Sequence, residues 1–153
     1  MELHWGQVVT LTRPKMKHAK LQSRLVRLLR PKAEHLGVVE SEVAFRALAE
    51  YDLRGADVAF VSRQRWDDTP DDDNLRGSPE LVIEVLSPSN TRREMHEKAT
   101  LYLATGAQEF WLLDAKQKNV TAVRHAGALV YQVGQRIPLA LFGSDLSVSD
   151  IFA

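Results

Sequence analysis

The 153-residue sequence contains no cysteine. That excludes disulfides, cysteine-ligated zinc and thiol nucleophiles, and it fits a reducing cytoplasm. Long apolar runs are also missing, since no stretch approaches the ~20 residues that span a bilayer. The opening "MELHWGQVV" does not resemble a secretion signal. The chain therefore reads as soluble and cytoplasmic, with no membrane partner. Net charge is the third absence. Twenty basic and twenty acidic residues cancel, so no global field draws the chain to nucleic acid. Linker-like tracts, repeats and heptads are lacking too. With 44% hydrophobic residues, the sequence predicts one domain over residues 1–153 with a real core.

The charges that are present are unevenly spread. From Arg13 to Lys32 they are all basic, whereas "DDTPDDD" at 67–73 is strongly acidic. Such a division can make a local phosphate-binding face, although on charge alone a solvated helix face and a solvated acidic loop are the better explanation.

The elements follow from periodicity. "ELHWGQVVTL" reads as a strand or hairpin arm. Residues 16–36 read as a helix with Leu21, Leu25, Leu28 and Leu29 on one face, perturbed by Pro31 and stopped by Gly37. "VVESEVAFRAL" predicts a strand with Val39, Ser41, Val43 and Phe45 on one side, and "ADVAFVS" predicts another. Residues 63–79 read as a long polar loop. "ELVIEVL" is an apolar strand. Thr91 and Glu94 then form a capping box that opens a helix ending near Gly106. "EFWLLD", "NVTAVRH" and "ALVYQV" complete a strand meander. The order predicts an α/β fold, a mixed sheet flanked by helices.

Two carboxylates interrupt this pattern. Glu84 lies in a strand that reads as buried, on one face with Val82 and Leu86, and Asp57 shares a face with Ala59 and Val61. Burying an ionised carboxylate costs several kcal/mol unless something compensates. If the two strands pair antiparallel, the start of one meets the end of the other and the carboxylates become neighbours. At ~4 Å and a near-surface dielectric they repel by about 4 kcal/mol. A shared divalent cation relieves that repulsion, and hard oxygen donors point to Mg²⁺ or Mn²⁺. Caps or arginine pairs at a sheet edge are the competing explanation. On the capped helix, Met95, Ala99, Tyr102 and Leu103 form the buried stripe, with Lys98 at its margin. Either Lys98 pairs with Glu94 on the surface, or it faces the carboxylates and serves a metal-bound water.

Several stretches together resemble a known family. "ELHWGQVV", "KHAKLQSRL", "ADVAFV", "EVLSPS", "EKATLY" and "EFWLLD" are similar, in this order, to the motifs of the Uma family of restriction-endonuclease-like bacterial proteins. That family is a branch of the PD-(D/E)XK nuclease superfamily, and the resemblance covers nearly the whole chain. It implies a restriction-endonuclease-like fold, metal ligands at Asp57 and Glu84, a catalytic lysine at Lys98 displaced onto the helix, and an early acid at Glu2. Ala56 departs from the family's usual proline, and Trp5 stands where the family often has Asp.

Lesser candidates remain. His18 and Gln22, one turn apart on the basic helix, and Arg92 and Arg93, at the start of the second helix, are candidates for phosphate contact. Plain solvation is the alternative for all four. Trp111 and Phe110 read as core, Asp114 as the opening of a turn, and Ser87 and Ser89 as loop hydrogen-bonders. The combined expectation is a Mg²⁺- or Mn²⁺-dependent endonuclease acting on DNA, a homodimer by analogy with enzymes that cut both strands. The competing expectation is a nuclease fold retained as a DNA-binding or assembly module without turnover.

Overall fold

The computed structural model describes residues 1–10 and 15–153; Arg13, at the head of the basic run, and Leu11 lie outside them. The first strands are β1 (Glu2–His4) and β2 (Gln7–Val9), an antiparallel hairpin with His4 opposite Gln7. Its two-residue turn is Trp5–Gly6, with φ of 52° and 82°. Two positive φ values match the right-handed twist that a tight hairpin requires.

Helix α1 (Met16–Ala33) buries Leu21, Leu25 and Leu29. It stops short of the expected residue 36 and contains Pro31 in its last turn. Gly37 is not a helix stop but the first residue of β3 (Gly37–Arg46). A side chain there would strike Val61 O and come within 2.7 Å of the Phe60 ring, so glycine permits the close approach of the next strand.

That strand is β4 (Arg54–Ser62). The expected loop at 63–79 instead holds a short helix α2 (Arg63–Asp68) and strand β5 (Leu75–Arg76). Arg65 pins this segment, donating to Ser78 O, Arg76 O and the Glu80 carboxylate. Strand β6 (Leu81–Val85) follows, buried throughout. Helix α3 (Arg92–Ala104) starts where expected, with Thr91 Oγ1 accepting from Glu94 N at 3.1 Å. Its buried residues are Met95, Ala99, Leu101 and Tyr102, so Leu101 rather than Leu103 completes the stripe.

Strands β7 (Glu109–Asp114), β8 (Asn119–Arg124) and β9 (Gly127–Gln132) form the meander. Asp114 Oδ1 accepts from Lys116 N and Gln117 N in the first connecting turn. A further hairpin, β10 (Arg136–Leu139) and β11 (Ser144–Ser147), and the short helix α4 (Val148–Ile151) end the chain. None of these three was expected.

Seven strands make one mixed sheet in the order β5-β3-β4-β6-β7-β8-β9. β6 and β7 run parallel, joined by α3 as a crossover, while β3–β4 and β4–β6 are antiparallel. The fold is the mixed α/β sheet flanked by helices that the element order predicts. One face packs against α1, α4 and the β10–β11 hairpin through Val58, Phe60, Ile83, Trp111 and Leu113. The other face packs against α3 through Ala59, Val82, Ala99, Tyr102 and Phe110. Trp111 and Phe110 are fully buried in these two layers. No helix among the described residues is long and apolar enough to cross a membrane.

Candidate active site

The antiparallel β4–β6 ladder pairs Val58 with Ile83 and Ala59 with Val82. Continued by one step, the register sets Asp57 opposite Glu84. On the other side of β4, Ser41 pairs with Val58 and Val43 with Ala56, which sets Glu42 opposite Asp57. Three acids thus stand in one row across β3, β4 and β6.

The row coincides with a break in the pleat. Above it, Val39 and Val58 pack on the α1 side; below it, Phe45 and Ala56 pack on the α3 side. Side-chain alternation therefore reverses at Glu42 and Asp57, and Glu42 has φ of 55°. A left-handed backbone at a non-glycine residue is uncommon in a strand and locally strained. This overturns the expected grouping of Val39, Ser41, Val43 and Phe45 on one side. It also removes Asp57 from the face of Ala59 and Val61.

Asp57 turns towards α1 instead. Its Oδ1 accepts from Gln22 Nε2 at 3.2 Å and lies 3.2 Å from His18 Nε2. Its Oδ2 accepts from Val85 N at 2.7 Å, a backbone donor beyond the last β4–β6 pair. Gln22 is buried, and its Nε2 also donates to Glu42 Oε1 at 2.7 Å. One amide therefore ties two of the acids. His18 Nε2 is enclosed yet has no aligned hydrogen-bond partner among the described residues.

Glu84 keeps to the α3 side and is only 7% exposed. Lys98 Nζ donates to its Oε2 at 3.0 Å and its Oε1 at 3.2 Å, and Tyr102 O–H lies 3.5 Å from Oε1. Lys98 does not pair with Glu94; on the helix surface it is Arg93 that pairs with Glu97. Burial pushes the Glu84 carboxyl above its ordinary value, Lys98 pulls it back, and Asp57 and Glu2 push it up again. Burial, and then the Glu84 charge, hold the Tyr102 phenol well above its usual range, so it stays a donor.

Glu2 arrives from the hairpin. Its Oε2 accepts from Gly55 N at 2.7 Å, two residues before Asp57, and its Oε1 lies 2.6 Å from His4 Nε2. The bridge between Leu3 and Leu53 fastens the hairpin beside β4. Arg92 and Arg93 are exposed at the start of α3, away from this hydrogen-bond network. Glu42, His4 and Tyr102 are the participants that periodicity missed. Only Tyr102, one turn beyond Lys98, carried a readable signal.

Among the described residues no three His, Cys, Asp or Glu side chains form a ready metal cage. A smaller donor set still suits a hard cation. Mg²⁺ typically takes one or two carboxylates and completes its octahedron with water and substrate phosphate. Asp57 and Glu84 would supply those two carboxylates from neighbouring strands, and the Asp57 charge adds to the burial that raises Glu84. A cation there would offset that charge, provided Lys98 yielded one Glu84 oxygen.

Comparison with known proteins bears on the family and the fold. Residues 1–151 match the model of the Uma2 family, described as "Putative restriction endonuclease". No curated protein matches the chain. Among solved structures, a "putative nuclease belonging to DUF820" from Anabaena variabilis ATCC 29413 superposes with a TM-score of 0.83. The match has 20% sequence identity and covers 99% of this chain and 88% of that one.

Proposed function

Because the chain belongs to the Uma2 family of restriction-endonuclease-like proteins, we propose that it is a divalent-metal-dependent endonuclease that hydrolyses phosphodiester bonds in DNA. The observation that carries the reading is the buried Glu84 carboxylate, held by Lys98 one step beyond the paired register of β4 and β6. Asp57 and Glu84 would hold Mg²⁺ or Mn²⁺, which would polarise the scissile phosphate and lower the pKa of the attacking water. Lys98, released from one Glu84 oxygen, orients that water and offsets charge growing on the phosphate. Tyr102 retains the other Glu84 oxygen. Gln22 and the Val85 N–H fix the two Asp57 oxygens, so the carboxylate is oriented before substrate arrives. Glu2, anchored on Gly55 N, positions the approach from the hairpin side. In this reading the protein acts on nucleic acid in the cytoplasm, and a homodimer would serve cleavage of both strands.

The test is plasmid nicking with Mg²⁺ or Mn²⁺, comparing wild type with Glu84→Ala and Lys98→Ala. Cleavage lost in both variants supports the mechanism, and equal cleavage by all three removes it. A second reading has one observation in its favour, since both Glu84 oxygens are already taken by Lys98. In that reading the fold binds nucleic acid without turnover. Calorimetry separates the two: metal binding that disappears in Asp57→Asn supports the enzyme, and no binding by wild type supports the inert module.

A further inference from the structure

The seven-stranded sheet ends differently on its two sides. On one side the outermost strand, β5, covers only Phe45 and Arg46 of β3. The rest of that edge carries Glu40 and Glu42 and is broken by the left-handed backbone at Glu42. Charges and irregular backbone keep an edge from pairing with another chain. On the other side β9, "GALVYQ", has no charged residue and no proline, and residues 127–130 are all exposed. No residue from Ala128 to Gln132 is left-handed. Leu129 is 58% exposed and Val130 52%, on opposite faces of the sheet, since Leu129 pairs with Ala122 and Val130 with Thr121.

Only part of the β9 backbone is free. Gln132 donates its N–H to Gln135 Oε1 at 2.7 Å, and its carbonyl accepts from Gln135 N at 2.9 Å, so both groups point away from β8. Backbone groups of successive residues in an antiparallel ladder point to alternate sides. Val130 and Ala128 therefore also turn N–H and C=O outward, and neither has a partner there among the described residues. Two donors and two acceptors stand in a row of three residues. Their arrangement is its own complement. Under a two-fold axis at Leu129, Ala128 of each copy exchanges both hydrogen bonds with Val130 of the other, and all these groups are satisfied. A register centred on Val130 would use only half of them, because Gln135 already holds Gln132. With Leu129 at the centre, the two Leu129 side chains form a close non-hydrogen-bonded pair and Val130 packs on Ala128. An uncharged strand meets its own copy without like-charge repulsion, and the chain as a whole has no net charge.

We infer that β9 is a self-association edge: a second copy of this chain adds its own β9 antiparallel, Leu129 against Leu129, and joins the two seven-stranded sheets into one. Its use in cleaving both strands rests on the nuclease reading above, but the contact itself needs neither metal nor the carboxylates, and β7 and β8 separate it from β6. Four hydrogen bonds and a few apolar side chains bury less than the roughly 1,200 Å² of a stable interface, so the dimer is reversible, with Kd on the order of 10 µM.

The test is sedimentation equilibrium of the full chain from about 1 to about 200 µM, where a monomer–dimer equilibrium is expected. Leu129→Lys sets two ammonium groups against each other across the axis and should raise Kd at least about tenfold. Val8→Lys, at an exposed apolar position on β2, should leave Kd unchanged. Because the chain lacks cysteine, single cysteines read the register. Leu129→Cys should cross-link into a dimer under mild oxidation. Gln132→Cys would lie opposite Ala126 of the second copy, out of reach of its counterpart, and should not. Both cysteine sites are exposed, so this pair decides the matter even if Leu129→Lys lowers the melting temperature. A wild-type chain that stays monomeric throughout overturns the inference. So does a dimer untouched by Leu129→Lys, or equal cross-linking at the two cysteine positions. Plasmid nicking by a monomeric wild type overturns the edge and leaves the nuclease reading standing. A dimer of this register without nicking upholds the edge and removes the nuclease reading.

Discussion

Replacing Lys98 by methionine isolates the contact on which the site depends. Methionine retains the length and most of the apolar stem, so the packing of α3 on the sheet is kept. What disappears is the ammonium that donates twice to Glu84. Removing one member of a buried ion pair costs about 3–5 kcal/mol, because the survivor stays desolvated and unpaired. The Glu84 side chain is 9% exposed and that of Lys98 17%, so the lower end, about 3 kcal/mol, is expected. In a chain of this length each kcal/mol moves Tm by about 2–4 °C, which gives a fall of roughly 6–12 °C. Urea unfolding followed by circular dichroism in EDTA measures the loss. The double variant Glu84→Gln/Lys98→Met removes both charges and should return to within about 1 kcal/mol of wild type. Adding Mg²⁺ supplies the functional half of the experiment. With both Glu84 oxygens released, Lys98→Met should gain more from the metal than wild type does, up to about 2.7 kcal/mol at a hundredfold excess over Kd. A single variant as stable as wild type, or a double variant no better than the single, refutes the account of how Glu84 is held.

Three other outcomes follow from the same geometry. Gln22→Leu removes the amide that ties Glu42 to Asp57; metal affinity should drop about 10–100-fold by calorimetry, and an unchanged affinity would separate this network from the site. Gly37→Ala drives a methyl into Val61 O and the Phe60 ring; a loss of about 1–3 kcal/mol in urea is expected, and a neutral result would mean that the strands can part at little cost. Burial holds the Glu109 carboxyl above its ordinary 4.5, with Arg124 offsetting part of the shift. The folded state therefore retains a proton that the unfolded state has lost, and stability falls as pH rises through the window just above 4.5. Glu109→Gln should flatten that part of the curve, measured as urea midpoints across a pH series; a fall of equal steepness in the variant would exclude Glu109 as its source.

Glu84 and Lys98 were legible because each violates a strong local pattern, one inside an apolar strand and the other at the edge of a capped amphipathic helix. The antiparallel pairing of the Asp57 and Glu84 strands, raised as a condition by the same reasoning, is present as β4–β6. Asp57 was named, but its surroundings were not. Period-two reading assumes an unbroken pleat, and the reversal at Glu42 rests on a left-handed backbone at glutamate that propensity gives no reason to expect. Gln22 and His18 consequently read as surface residues of a basic helix, although Gln22 is buried and His18 Nε2 is enclosed. Helix α2 escaped notice because its order comes from Arg65 reaching Ser78, Arg76 and Glu80. Contacts so far apart leave no trace in a local window. The β10–β11 hairpin and α4 close the core from the α1 side through Ile137, Leu139, Leu146 and Ile151. Their short irregular stretches lack a period long enough to detect.

The two kinds of support beneath the site differ in how they respond to sequence change. Asp57 and Glu84 take their places from the pairing of β4 with β6 and from the backbone reversal at Glu42 and Asp57. Lys98 arrives on a helix whose height above the sheet is set by Ala99, Met95 and Tyr102. A methyl more or less under α3 shifts the lysine by a fraction of an ångström and leaves the two carboxylates where they were. Substitutions beneath α3 can thus adjust the reach of the amine in small steps while the acidic pair keeps its place, so in the proposed enzyme they would alter turnover before metal binding.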